Sequence, residues 1–231
     1  MTTLGIIGGI APPSTIDYYR LLWTRYQERS PDGSYPSILI DSIDAKPFFA
    51  LLEADDRPAI IEFLRGELDR LARAGAEIAL FASNSPHLVF DDVARVSPLP
   101  LISIVEATAD VAQAQGLRRV GLLGAKYTMD GGFYRDVFAE RGIAVVVPAR
   151  DERTYIHDRY FSEFVDGVFR DETSAGFAAV IDRMRAEDAI EAVILGGTEL
   201  PMLFRDAPST SVPLLDTASI HVDAAIARLL A

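Results

Sequence analysis

No cysteine occurs among the 231 residues. Its absence excludes disulfides, zinc thiolates, iron–sulfur ligation and thiol catalysis. Basic charge is scarce too. Lys and Arg number 22 against 34 Asp and Glu, a formal net charge of −12. Such a surface repels nucleic acid and anionic lipid, so no nucleic-acid or membrane partner is expected. A small anion held by a few arginines in a cleft is compatible with it. No stretch reaches the roughly eighteen apolar residues that span a bilayer. Met1-Thr2-Thr3 runs straight into Leu4-Gly5-Ile6-Ile7-Gly8-Gly9, without a basic or long apolar leader. The expected location is the cytoplasm. There is neither a G-x-G-x-x-G fingerprint nor a P-loop lysine, so a nucleotide cofactor lacks support.

What is abundant is apolar sequence in short runs. Hydrophobic residues make up 49% and charged residues 24%, enough for a full core. Leu4–Ile7, Ile38–Ile43, Glu77–Phe81, Leu101–Ile104, Arg119–Leu123, Ala144–Val147 and Ala192–Leu195 read as buried strands. Thr15–Arg29, Pro58–Ala74 and Thr217–Leu230 carry apolar residues at helical spacing, and Gly75 is a stop signal after the second. Ser30–Tyr35, Ser97–Pro100, Ala149–Arg153 and Asp206–Ser211 read as loops. Apolar strands alternating with helices imply an α/β fold with parallel sheet covered on both faces.

An internal repeat organises these elements. Gly5-Ile6-Ile7-Gly8-Gly9 matches Gly121-Leu122-Leu123-Gly124-Ala125 at an offset of 121 − 5 = 116, and Tyr18 matches Tyr134 at 134 − 18 = 116. The segments around Ser83 and Gly197 match at 197 − 83 = 114. The expectation is two pseudo-symmetric lobes. One covers 1–100 and is rejoined by the C-terminal helix 213–231; the other covers 101–212. Ligands of open α/β sheets bind at the carboxyl ends of the strands. Facing lobes would then enclose a site between matching strand-end turns.

Each such turn has a functional and a plain reading. Gly8-Gly9-Ile10 and the following helix start could receive an anion, or form a tight turn capped by Ser14. Ser83-Asn84-Ser85-Pro86-His87 could hold a carboxylate, or be an N-cap cluster in which His87 is only a loop residue. Gly196-Gly197-Thr198-Glu199 permits close approach of a ligand, or is a plain turn; Glu199 could orient a partner or cap a helix. His157 sits among ionisable groups, as a base, an orienter or a structural residue. His221 reads as a helix-surface or packing residue. Lys46, Arg150, Arg153 and Arg159 could grip a carboxylate, Arg159 first, or be solvated charge.

At these residues the chain resembles the aspartate/glutamate racemase family. The similarity runs from Leu4-Gly5-Ile6-Ile7-Gly8-Gly9 through Ser83-Asn84-Ser85-Pro86-His87, Leu123-Gly124-Ala125-Lys126-Tyr127-Thr128-Met129, Ile156-His157-Asp158 and Gly196-Gly197-Thr198-Glu199-Leu200-Pro201 to Pro213-Leu214-Leu215-Asp216-Thr217. The resemblance implies a cofactor-independent enzyme, a homodimer, whose substrate is a small amino acid or carboxylate. Two cysteines would flank the substrate's α-carbon, at the positions of Ser83 and Gly197. Asn84, Ser85 and Thr198 match polar contacts to the substrate, and His157 matches a histidine near the second cysteine. Gly9, Ile10, Thr128, Glu199, Lys46 and Arg159 complete the expected substrate site.

Both departures bear on mechanism. A serine hydroxyl is a far weaker acid than a thiol, and Gly197 has no proton to give. Ordinary two-thiol racemisation is excluded. Three readings stay open: atypical chemistry at Cα, with His157 or an ordered water as carrier; a lyase or decarboxylase needing one proton donor; and a non-catalytic binder of an acidic amino acid. The space beside Gly197 is expected to be larger by about one side chain. Restoring both thiols, Ser83→Cys with Gly197→Cys, is expected to create racemase activity.

Overall fold

The computed structural model describes residues 2–205 and 210–231. The protein is α/β. Strands β1 (Thr3–Gly8), β2 (Ser37–Ser42), β3 (Ile78–Phe81) and β4 (Leu101–Ile102) form one sheet in the order β2-β1-β3-β4. Strands β5 (Arg119–Gly124), β6 (Ala144–Val146), β7 (Ala192–Gly196) and β8 (Leu214–Asp216) form a second in the order β6-β5-β7-β8. Every pairing is parallel. Parallel neighbours need crossovers, and helices supply them. The inner strands β1 and β5 are buried along almost their whole length. This is why they read as unbroken apolar runs rather than alternating ones.

The chain divides into two compact units, 1–104 with 221–231, and 105–220. The segment 213–231, assigned whole to the first lobe on sequence grounds, is therefore shared. β8 pairs with β7 in the second sheet, and the following helix Thr217–Leu229 passes into the first unit at His221.

The repeat is visible in packing within each unit. Gly5 on β1 leaves room for Leu71 and Ala76; a Cβ there would lie 3.0 Å from each. Gly121 on β5 does the same for Met184 and Ile190, at 3.1 and 3.0 Å. Tyr18 and Tyr134 are both buried. The Tyr18 hydroxyl meets His221 Nδ1 at 3.0 Å. Tyr134 bonds Thr108 and Thr217, and burial pushes its phenol upward.

Helix boundaries follow local chemistry. Helix Arg57–Ala74 starts where Asp56 accepts from the Ala59 amide at 3.1 Å, and stops at Gly75 in the left-handed region, φ 101°. The first helix begins at Pro12, earlier than Thr15, with prolines in its opening turn. Ser14 lies inside that turn, and the N-cap position is Ala11. Ala149–Arg153 is not a loop, because helix Arg150–Ser162 begins there. Glu152 reaches back to the Ala149 amide at 2.8 Å and holds Arg183 by two bonds of 2.6 and 2.7 Å. Charge pairing and capping thus make a helix where no apolar stripe announces one. β4 is shorter than Leu101–Ile104, since Ile104 already opens a helix. β8 was not foreseen. Of the loop Asp206–Ser211, residues 206–209 lie outside the described residues.

Candidate functional site

In each sheet the first strand of the unit has its two successors on opposite sides: β1 lies between β2 and β3, and β5 between β6 and β7. The carboxyl ends of strands at such a reversal are the usual ligand position in open α/β sheets. β1 and β3 are adjacent, with Ile7 opposite Phe81, so the Gly8–Ile10 and Ser83–Ser85 turns leave the same edge of the first sheet. β5 and β7 are adjacent, with Gly124 opposite Gly196, so the turn before Thr128 and the Gly197–Glu199 turn leave one edge of the second.

In the first unit, Ser83, Asn84 and Ser85 are all buried at the start of the 3-10 helix Ser85–Val89. Asn84 sits at the cap position, yet its side chain makes no capping bond. His87 is no loop residue. It is 3% exposed, stacks on Phe90 at 4.8 Å, and its Nε2 accepts from the Ile104 amide at 3.1 Å. That bond places its proton on Nδ1. Burial, with nearby His221 adding to it, lowers His87 to about 3 against the opposing pull of the Asn84 and Ser83 carbonyls. His221 is likewise a core residue rather than a surface one. Its Nε2 donates to the Ile102 carbonyl at 2.9 Å, and Nδ1 accepts from Tyr18.

The glycine turn of this unit is shaped by its own chain. The Gly9 amide donates to Thr15 Oγ1 at 2.8 Å. Gly9 has φ +88°, and a Cβ there would lie 2.3 Å from the Ile43 carbonyl oxygen. Close packing requires glycine at this position with or without a ligand. Ile10 is buried beside it. Lys46 is exposed on helix Ala45–Glu53, and no ion pair engages it among the described residues.

In the second unit, Thr198 and Glu199 are buried at the end of β7. Glu199 does not cap the short helix Leu200–Leu203 with its side chain. Its Oε2 accepts a hydrogen bond from the Tyr160 hydroxyl. Thr198 Oγ1 lies 3.4 Å from the same carboxylate oxygen. Thr128 is 1% exposed and its Oγ1 has no hydrogen-bond partner among the described residues. His157 Nδ1 accepts from the Lys126 amide at 3.4 Å, so it serves the first turn of helix Lys126–Asp130. Arg159 pairs with Glu163 at 2.8 Å and lies over the Tyr155 ring. That pairing, named first among its causes, holds its guanidinium pKa above the usual value. Arg153 is engaged by Asp130 at 3.2 Å.

The expected vacancy at Gly197 is not there. A Cβ at Gly197 would lie 2.5 Å from Tyr160 Cε2 and 3.0 Å from the Tyr160 hydroxyl. Sequence reasoning passed over Tyr160, although two signals pointed to it. It lies 160 − 157 = 3 residues beyond His157 on one helix, hence near it on the helix surface. A buried Glu199 also required a donor.

Among the described residues, no cluster of three His, Asp or Glu side chains could hold a metal, and no helix is long and apolar enough to cross a membrane.

Comparison with known proteins is consistent across sequence and structure. The profile of the Asp/Glu/Hydantoin racemase family matches residues 7–225. The broad specificity amino-acid racemase RacX of Bacillus subtilis (strain 168) is 25% identical over 150 residues. That match covers 62% of this chain and 63% of RacX, less than two thirds of the relative's length. A Yersinia pestis structure provisionally described as an Asp/Glu racemase superposes with a TM-score of 0.88 at 32% identity, covering 100% of both chains. An aspartate racemase homologue from Pyrococcus horikoshii OT3 gives 0.82 at 37%, covering 99% of each. Glutamate racemase from Francisella tularensis, in complex with D-glutamate, shares the fold at 15% identity and a TM-score of 0.70, over 99% of this chain and 80% of that one.

Proposed function

Because the chain belongs to the Asp/Glu/Hydantoin racemase family, we propose that it acts at the α-carbon of a small acidic amino acid or related carboxylic acid, by chemistry that uses no thiol. The observation that carries this reading is the cluster of buried polar side chains at the strand-end turns. Ser83, Asn84 and Ser85 follow β3, and Thr198 and Glu199 follow β7. Buried polar groups are costly unless partnered. Thr128 Oγ1, buried and unpaired near Gly124 and Gly196, is suited to a ligand atom. In this reading Asn84, Ser85, Thr128 and Thr198 bind the substrate's carboxylate and amino groups, and Gly9 and Ile10 line the approach. His157 orients the turn at Lys126. Lys46 has no competing ion pair among the described residues and suits a second carboxylate better than Arg159, which Glu163 engages. The reaction needs no cofactor, and the protein works as a cytoplasmic homodimer.

The test is a panel of acidic amino acids and dicarboxylic acids incubated with the protein in deuterium oxide and followed by NMR. Deuterium at Cα is the expected result. Loss of a carboxylate or amine would replace this reading with a lyase. Saturable binding without turnover would make the protein a binder. Light scattering checks the dimer.

A further inference from the structure

Gly197 owes its missing side chain to a neighbour. The Tyr160 ring occupies the space a Cβ would need, 2.5 Å from Cε2, and the phenolic oxygen lies 3.0 Å from that same point. The hydroxyl therefore stands within reach of where a longer side chain at this position would carry its acidic atom. It is pinned there, because it donates to Glu199, whose carboxylate is wholly buried behind it. Tyr160 is itself only partly buried. Its ring is held edge-on against Phe164 at 5.7 Å between centroids. The Tyr160 hydroxyl and the buried Glu199 carboxylate form a two-membered hydrogen-bonded chain beside the turn.

We propose that Tyr160, backed by Glu199, is the proton carrier at the Gly197 turn, in place of the side chain that position lacks. This rests on the preceding reading, that the substrate reacts at Cα. In the forward direction the Cα–H bond breaks and leaves its electron pair on the substrate, where the adjoining carboxylate delocalises it. The Tyr160 oxygen takes that proton as its own O–H bond breaks, and the released proton forms an O–H bond on Glu199. One negative charge leaves Glu199 and one appears on the substrate. The reverse sequence returns a proton to Cα. A relay is required, not a free phenolate. Burial and the adjacent Glu199 charge raise the phenol well above its ordinary pKa, so the tyrosine passes a proton on without standing as an anion. A serine hydroxyl, the group at Ser83, is a far weaker acid than a thiol. The relay therefore exchanges the α-proton of one enantiomer with retention, and inversion lags behind exchange.

Two measurements test the proposal. The first compares wild type, Tyr160→Phe and Glu199→Gln for α-deuteration of the acid the panel identifies, with affinity followed by calorimetry. Tyr160→Phe is expected to slow exchange by about 100-fold or more while affinity changes by less than about threefold. Exchange in Tyr160→Phe at the wild-type rate overturns the relay and leaves the proposed function intact. Binding without exchange in wild type overturns both. The second measurement needs no substrate. Gly197→Ala is expected to lower the unfolding midpoint of wild type and to leave that of a Tyr160→Ala background unchanged. Equal effects in the two backgrounds would remove Tyr160 from this position and overturn the proposal by a separate route.

Discussion

At Gly197 a thiol would need the room that the Tyr160 ring takes up. Restoring both thiols, Ser83→Cys with Gly197→Cys, is therefore no longer expected to create a racemase. The new side chain would push Tyr160 off Glu199 and cost the buried carboxylate one of its donors, a loss of about 2 kcal/mol. The expected outcome is that the double variant is destabilised and inactive, and that adding Tyr160→Ala brings racemisation of aspartate or glutamate. Circular dichroism at the substrate's absorption band follows inversion directly. Brisk racemisation by the double variant alone would show that Tyr160 yields easily. Gly9 offers a contrasting case in which the constraint comes from the chain's own backbone. Its φ of +88° and the Ile43 carbonyl 2.3 Å from any Cβ make Gly9→Ala costly, by at least about 2 kcal/mol in denaturant unfolding. A value near zero would mean the turn can rearrange.

Among the elements, helix Arg150–Ser162 shows where charge does what apolar burial does elsewhere. Ile156 is its one fully buried side chain. The Glu152 carboxylate ties its start to the Ala149 amide and to Arg183 on helix Asp171–Asp188. Arg183→Ala is expected to cost about 1–2 kcal/mol, since a partly buried two-bond pair is stronger than an exposed one. A variant within about 0.3 kcal/mol of wild type by urea titration would assign the anchoring to other contacts. The same helix explains the limits of reading the chain by pattern. β1, β3, β5 and β7 were legible because strands buried on both faces are short, apolar and bounded. Ala149–Arg153 was read as a loop because its helical signal is a carboxylate reaching back, not a stripe. β8 is only Leu214–Asp216, behind Pro213, too short to register as a strand. The turns at Ser83 and Gly197 were legible as candidate site residues from their residue types. Tyr160 was not, because the residue that gives it meaning lies 197 − 160 = 37 positions away.

For the molecule as a whole, two buried histidines in the first unit link stability to pH. Burial lowers His87 to about 3 and His221 to about 4, against about 6.5 when unfolded. Both are neutral in the fold, so unfolding takes up protons only below about pH 6.5. Above that value they contribute no pH dependence. Below it, stability falls by up to about 1.4 kcal/mol per pH unit for each, until the folded values are reached. Urea unfolding between about pH 7 and pH 5 should show this loss, and His221→Gln should flatten it. An unchanged slope in that variant would assign the proton uptake elsewhere. The same histidine governs the order in which the protein can assemble. Residues 105–220 emerge from a ribosome as one unbroken stretch, whereas the unit begun first is completed only when His221–Ala231 arrives. Tyr18 waits 203 residues for the ring that accepts its hydroxyl. A domain generally folds once its own chain is available, so the half that is translated second is the half that finishes first. Protease resistance during synthesis should therefore appear in 105–220 before it appears in 1–104, and the last eleven residues act as the stitch that closes a structure started at the other end.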